Sequence, residues 1–170
     1  MTFKWIGAAL IIFGCGFAGY SVSAAYRREE RELRQLAAAL EYMVCELQYH
    51  RSPLPELCRL VGSERGGCVG RLFTNLGNEL ESKISPDVQS CLASAAANAG
   101  QLPRRIQEAV CILGSSLGYF DLEGQITGLE AVCSYCRTQL EEMAEGRDAR
   151  LRSYETLGLC AGAALAILLV

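Results

Sequence analysis

Trp5-Ile-Gly-Ala-Ala-Leu-Ile-Ile-Phe-Gly-Cys-Gly-Phe-Ala-Gly-Tyr-Ser-Val-Ser-Ala-Ala-Tyr26 is a run of 22 residues without a charge. At about 1.5 Å of rise per helical residue it extends about 33 Å, and a bilayer's hydrocarbon core is about 30 Å thick. The run predicts a transmembrane helix over residues 5–26. The other end of the chain repeats the pattern in shorter form. Thr156 to Val170 is 15 uncharged residues, about 22 Å of helix, which is short for a full span. Tyr154 and Ser153 extend it while Arg152 can snorkel toward the headgroups. A second membrane helix is expected over residues 154–170, and its length leaves open whether it crosses completely.

The competing reading of the first run is a cleaved signal peptide, with Lys4 as a thin basic start and Val22-Ser-Ala24 as a small-residue cleavage site. Arg27, Arg28, Arg31 and Arg34 follow at once, and basic residues there oppose translocation of what comes next. The competing reading of the last run is a buried core helix, but it has no polar face. Arg147, Arg150 and Arg152 precede that run and nothing basic follows it. The positive-inside bias therefore predicts that residues 27–153 are cytoplasmic and both termini lie on the far side.

Composition narrows the function. The chain is 51% hydrophobic and 21% charged, too apolar for disorder and too charged for a protein of many spans. Its 16 basic and 19 acidic residues give a net charge of −3. That balance lacks the basic excess a nucleic-acid binder needs, so nucleic acid is not an expected partner. The single histidine, His50, leaves little for imidazole catalysis or a His-rich metal site.

Between the two runs the periodicity is helical, with neither polar/apolar alternation nor a hairpin turn. Leu33, Leu36, Ala37, Leu40, Met43, Val44 and Leu47 recur at three- and four-residue steps and predict an amphipathic helix continuous with the first span. Ser52-Pro53 reads as an N-cap and first position of a short helix through Val61. Gly62, Gly66 and Gly67 read as a loop. Val69, Leu72, Phe73, Leu76 and Leu80 form the next stripe. Ser85-Pro86 reads as another helix start, Asn98-Ala-Gly100 as its stop and Pro103 as the start of a helix lined by Ile106, Val110, Leu113 and Leu117. Gly118 fits that helix's C′ position and Asp121 the cap of a last long helix. That helix carries Ile126, Leu129, Val132, Cys133, Cys136 and Leu140 and runs into the second span. The fold class is all-α: an antiparallel bundle of about six helices over residues 27–153, between two membrane helices.

No catalytic set assembles. Gly14-Cys-Gly16-Phe-Ala-Gly19 matches a dinucleotide fingerprint by letter but lacks the preceding strand. With Gly158 and Gly162 it reads instead as small residues that let membrane helices approach. The nine cysteines are odd in number and irregular in spacing, unlike a disulfide scaffold, and their role is open. Cys133-Ser-Tyr-Cys136 has no second pair and no nearby histidine for zinc. It reads as two residues on one packed face, or alternatively as a redox-sensing pair in a membrane-anchored regulatory module. No enzyme activity, cofactor or metal is expected. The charged surface available for docking lies on Glu29, Glu30, Glu32, Glu41, Glu141, Glu142 and Glu145 of the two long helices.

Several stretches together resemble a known family. Lys4-x-Ile-Gly-Ala-x-Leu-Ile-Ile12 opens the chain, and Leu33-Arg-Gln-Leu36-x-x-Ala-Leu40 follows the arginines. Tyr49-His-Arg-Ser-Pro-Leu-Pro-Glu56 and Leu117-Gly118-Tyr-Phe-Asp121-Leu-Glu-Gly-Gln125 come later. In order and spacing these resemble the stage III sporulation protein AB family, which is similar to the F domain of type II secretion and type IV pilus platform proteins. The resemblance implies a non-enzymatic platform in a secretion-like complex of endospore formation. It would sit in the mother-cell membrane facing the forespore and dock a cytoplasmic ATPase, the sporulation protein AA. The other stage III proteins and the bilayer are the implied partners, and self-association is open. Leu117, Gly118, Asp121 and Gln125 are candidates for a docking element or a simple helix turn.

Overall fold

The computed structural model describes the backbone of residues 2–50, 52–82, 87–117 and 122–169. It describes the side chains of residues 17, 20–50, 52–82, 87–117, 122–146, 156 and 160. The described residues form six helices and no strand: α1 (Thr2–Tyr49), α2 (Leu54–Glu64), α3 (Gly67–Ser82), α4 (Val88–Asn98), α5 (Arg104–Ser116) and α6 (Leu122–Leu169). Two compact units divide the chain, Met1–Glu30 with Glu142–Val170, and Arg31–Glu141.

The core of the 31–141 unit follows the sequence stripes. Leu33, Leu36, Leu40 and Met43 of α1 are buried, as are Val69, Leu72, Phe73 and Leu76 of α3, Ile106 and Leu113 of α5, and Leu129, Val132 and Cys136 of α6. Each such side chain contributes about 1.5–3 kcal/mol on leaving water. Burial matters more than propensity here. The helices α2 and α4 have 11 residues each, below the roughly 12–15 at which an isolated helix becomes even marginal in water.

The structure moves several boundaries. Pro53, not Ser52, is the N-cap of α2, with no side-chain cap bond, and Pro55 lies inside the first turn. The Ser52 hydroxyl instead reaches back to the Glu46 carboxylate at 3.5 Å. Gly62 lies inside α2, which runs on to Glu64. A Cβ there would stand 2.6 Å from the Thr74 backbone nitrogen, so glycine serves close helix contact at this position, not a turn. Gly70 is tighter still, since a Cβ would overlap the Arg65 carbonyl oxygen. The cap of α4 is Asp87, whose carboxylate accepts from the Gln89 N–H at 3.3 Å. Ser85-Pro86 lies outside the described residues. Asn98 does end α4, and Gly100 takes a positive φ of 92°.

In the other unit, the Tyr26 hydroxyl donates to the Met143 carbonyl at 3.1 Å. Ser23 is buried, and its hydroxyl finds no partner among the described residues. Phe17 and Tyr20 are exposed on α1. The backbone of α1 and α6 is helical through both apolar runs. Among the described residues no helix is long and apolar enough to cross a membrane, and most side chains of the two runs are not among them.

Candidate functional site

The sequence offered three places to look: the CxxC pair, the loop at Leu117–Gln125 and the acidic residues of the long helices. Cys133 and Cys136 are one turn apart on α6 and both are buried and free. Burial pushes the Cys133 thiol up to about 11, with Glu41 adding to the effect. Burial likewise pushes Cys136 up to about 12. The thiolate is the reactive form, and these sites disfavour it. They behave as packed small hydrophobes, which gives the redox-sensing alternative no support. Among the described residues no three His, Cys, Asp or Glu side chains come together to hold a metal ion.

Leu117 is buried and caps the C-terminus of α5, its N–H donating to the Leu113 carbonyl at 2.9 Å. Gly118 and Asp121 lie outside the described residues. Gln125 is half-buried near the start of α6 and has a bonding partner of its own. Gly14, Gly16 and Gly19 fall on the helical backbone of α1, and Gly158 and Gly162 on that of α6. Their surroundings lie outside the described residues.

The acidic set separates by exposure, and Glu29 is half-buried. Glu41, Glu141, Glu142 and Glu145 are exposed. Glu30 and Glu32 are buried, at 9% and 7%, so neither belongs to a docking surface. Glu32 instead works inside the 31–141 unit. Both of its oxygens accept from the Cys68 N–H at the start of α3, at 3.2 and 3.4 Å. A carboxylate suits this place because the first N–H groups of a helix are orphaned and carry partial positive charge. Gly67 makes room for it: φ is +72°, and a Cβ would collide with the carboxylate. On the same joint, Arg65 donates to the α1 carbonyls of Ala38 at 3.2 Å and Gln35 at 3.4 Å. The sequence reading missed this fastening because its partners are about thirty residues apart and no local motif announces them.

On the surface, Arg137 grips Glu41 at 2.7 Å and ties α6 to α1. Tyr135 donates to Glu108 at 2.7 Å, and Arg104 holds the same carboxylate at 3.0 Å. The Tyr135 hydrogen bond, then Arg104, keeps the Glu108 carboxyl below the usual range. His50 is exposed at the end of α1, 3.3 Å from the Glu46 carboxylate. Arg137–Glu41 and Tyr135–Glu108 tie helix to helix, while Arg104–Glu108 and His50–Glu46 are pairs four residues apart on one stretch of chain.

A protein-family model of stage III sporulation protein AB matches residues 4–170. The chain belongs to the stage III sporulation protein AB family. The stage III sporulation protein AB of Bacillus subtilis (strain 168) is 22% identical over 170 residues, covering 98% of this chain and 99% of that protein. A solved structure titled stage III sporulation protein AB has the same fold, with a TM-score of 0.64 at 18% identity. It covers 72% of this chain and 98% of its own. The resemblance carried by the sequence motifs thus extends to the family as a whole. These relatives are named for a stage of sporulation and not for a reaction.

Proposed function

We propose that this protein is a membrane-anchored, non-enzymatic platform of a secretion-like complex in endospore formation, and that residues 27–153 face the mother-cell cytoplasm and dock the AA ATPase. The observation that carries the reading is the family match, which runs from residue 4 to residue 170 and so takes in both apolar ends with the helical unit. Phe17 and Tyr20, exposed on α1 within the uncharged run, support the anchor, since large apolar side chains turned outward call for an apolar surrounding. The exposed Glu41, Glu141, Glu142 and Glu145 support docking through polar contacts of a transient kind.

Two measurements test it. A reporter inserted at residue 90 should behave as cytoplasmic in sporulating cells, and one fused after Val170 as external. Protease cleavage at residue 90 in intact cells sinks the orientation. The full chain in nanodiscs should bind the AA ATPase with an affinity that falls as salt rises. Absence of any salt-sensitive association defeats the docking.

A further inference from the structure

Within the 31–141 unit, α1 and α6 leave an open groove of about 340 Å³ lined by Glu41 and Val44 of α1 and by Glu130, Cys133, Ser134 and Arg137 of α6. Short side chains make the trough. Val44 is half-buried and Cys133 is 7% exposed, and they form an apolar floor. Glu41 and Glu130 stand exposed on the two walls. Arg137 is held by Glu41, and Glu141 lies close enough to act on the same guanidinium. The lining therefore carries two carboxylates against one arginine, and Glu141 adds a third negative charge beside that arginine. An open groove of this size between charged walls does not enclose a small molecule, whose sites bury most of the ligand. Two helices running side by side present the ridges and trough into which a third helix packs.

We propose that this groove receives a basic amphipathic helix from a partner, with an apolar ridge on Val44 and Cys133 and Lys or Arg side chains toward Glu41, Glu130 and Glu141. That the helix belongs to the ATPase rests on the docking reading above. Charge complementarity selects the occupant: an acidic helix would meet like charge on both walls. Arg137 is the one cation among the lining residues, and it competes with the incoming basic residues for Glu41.

The test is protection of an exposed position in the assembled complex. Ser134→Cys, on the rim, is labelled with a maleimide in the full purified chain and in membranes from sporulating cells, and read at that position by mass spectrometry. Labelling in the membranes is expected to be at least tenfold slower. Adding Glu130→Lys should abolish the protection, and adding Arg137→Ala should keep or deepen it, with thermal unfolding of each variant showing that the fold is intact. Equal labelling in both settings overturns the groove, whether or not the ATPase binds elsewhere. Protection indifferent to Glu130→Lys overturns the basic helix. Protection that survives deletion of the ATPase gene leaves the groove occupied by a basic helix and removes the ATPase as its source.

Discussion

Two helices of one bundle begin in opposite ways. Asp87, immediately before α4, accepts from the Gln89 N–H two residues on. At α3 the first residue is Gly67, which has no side chain to offer, and the N–H behind it is taken by Glu32 from α1, 36 residues earlier. The first helix start is closed by its own sequence and can form with its helix. The second is complete only after α1 has docked. Local capping is thus a property of a segment, while the α3 start is a property of the folded unit.

The strongest way to break this contrast is at the α2–α3 joint. Gly70→Ala drives a methyl into the Arg65 carbonyl, where backbone has to shift, and should cost about 3 kcal/mol. Gly66→Ala, four residues away with open space around the site, should change stability by less than about 1 kcal/mol. Urea unfolding followed by circular dichroism compares them, and similar midpoints would show that the joint is not closely packed. Next in size is Glu32→Ala, which leaves a buried N–H without its acceptor and should cost about 2 kcal/mol. Glu32→Gln keeps an acceptor and should recover part of that loss. Asp87→Ala should cost about 1 kcal/mol, the ordinary value for a local cap. A loss as large as that of Glu32→Ala would erase the distinction between the two starts.

The thiol of Cys68 sharpens the comparison chemically. A cysteine at a helix N-terminus usually has a lowered pKa. Here burial, and then the hydrogen bond with Glu32, push it up to about 12. The unfolded thiol titrates near 9.0, so the folded state holds the proton over a range where the unfolded state has lost it. The stabilisation is complete below pH 9 and disappears as pH rises toward 12. Alkaline unfolding should begin in that window, and Cys68→Ala should make it shallower. Glu32→Gln should also speed maleimide labelling of Cys68 at pH 9. An unchanged rate would mean that burial alone sets the thiol. The smallest effect is expected at the surface. Removing Arg137 or Glu41 should leave the melting temperature unchanged, because both side chains are about half exposed or more and such pairs are screened.

The same contrast explains which features were legible in the sequence. Leu33, Leu36, Leu40 and Met43 could be read as a buried stripe because helical periodicity is local, and the six-helix architecture followed from such stripes. Asn98-Ala-Gly100 could be read as a stop because the backbone turn needs glycine there. Gly62 was misread as a loop because glycine in a close helix contact looks like glycine in a turn until the neighbouring helix is known. Glu30 and Glu32 were misread as surface because carboxylates usually are, and only the placement of α3 over α1 shows what Glu32 caps. For the candidate site, packing of the CxxC pair was readable from its spacing. The groove at Val44 and Cys133 was not, because it depends on which short side chains meet across two helices far apart in sequence.

The Arg65 contacts carry one more consequence. Its guanidinium addresses the carbonyls of Gln35 and Ala38, and Arg71 likewise addresses the carbonyl of Ala99 at 2.9 Å. A main-chain oxygen is the same whatever residue bears it. These fastenings are therefore blind to the identity of positions 35, 38 and 99, and place their constraint on the two arginines alone. Mutational drift on the gripped side goes unseen, which is one route by which a lineage can diverge to 18% identity while the chain trace still superimposes with a TM-score of 0.64.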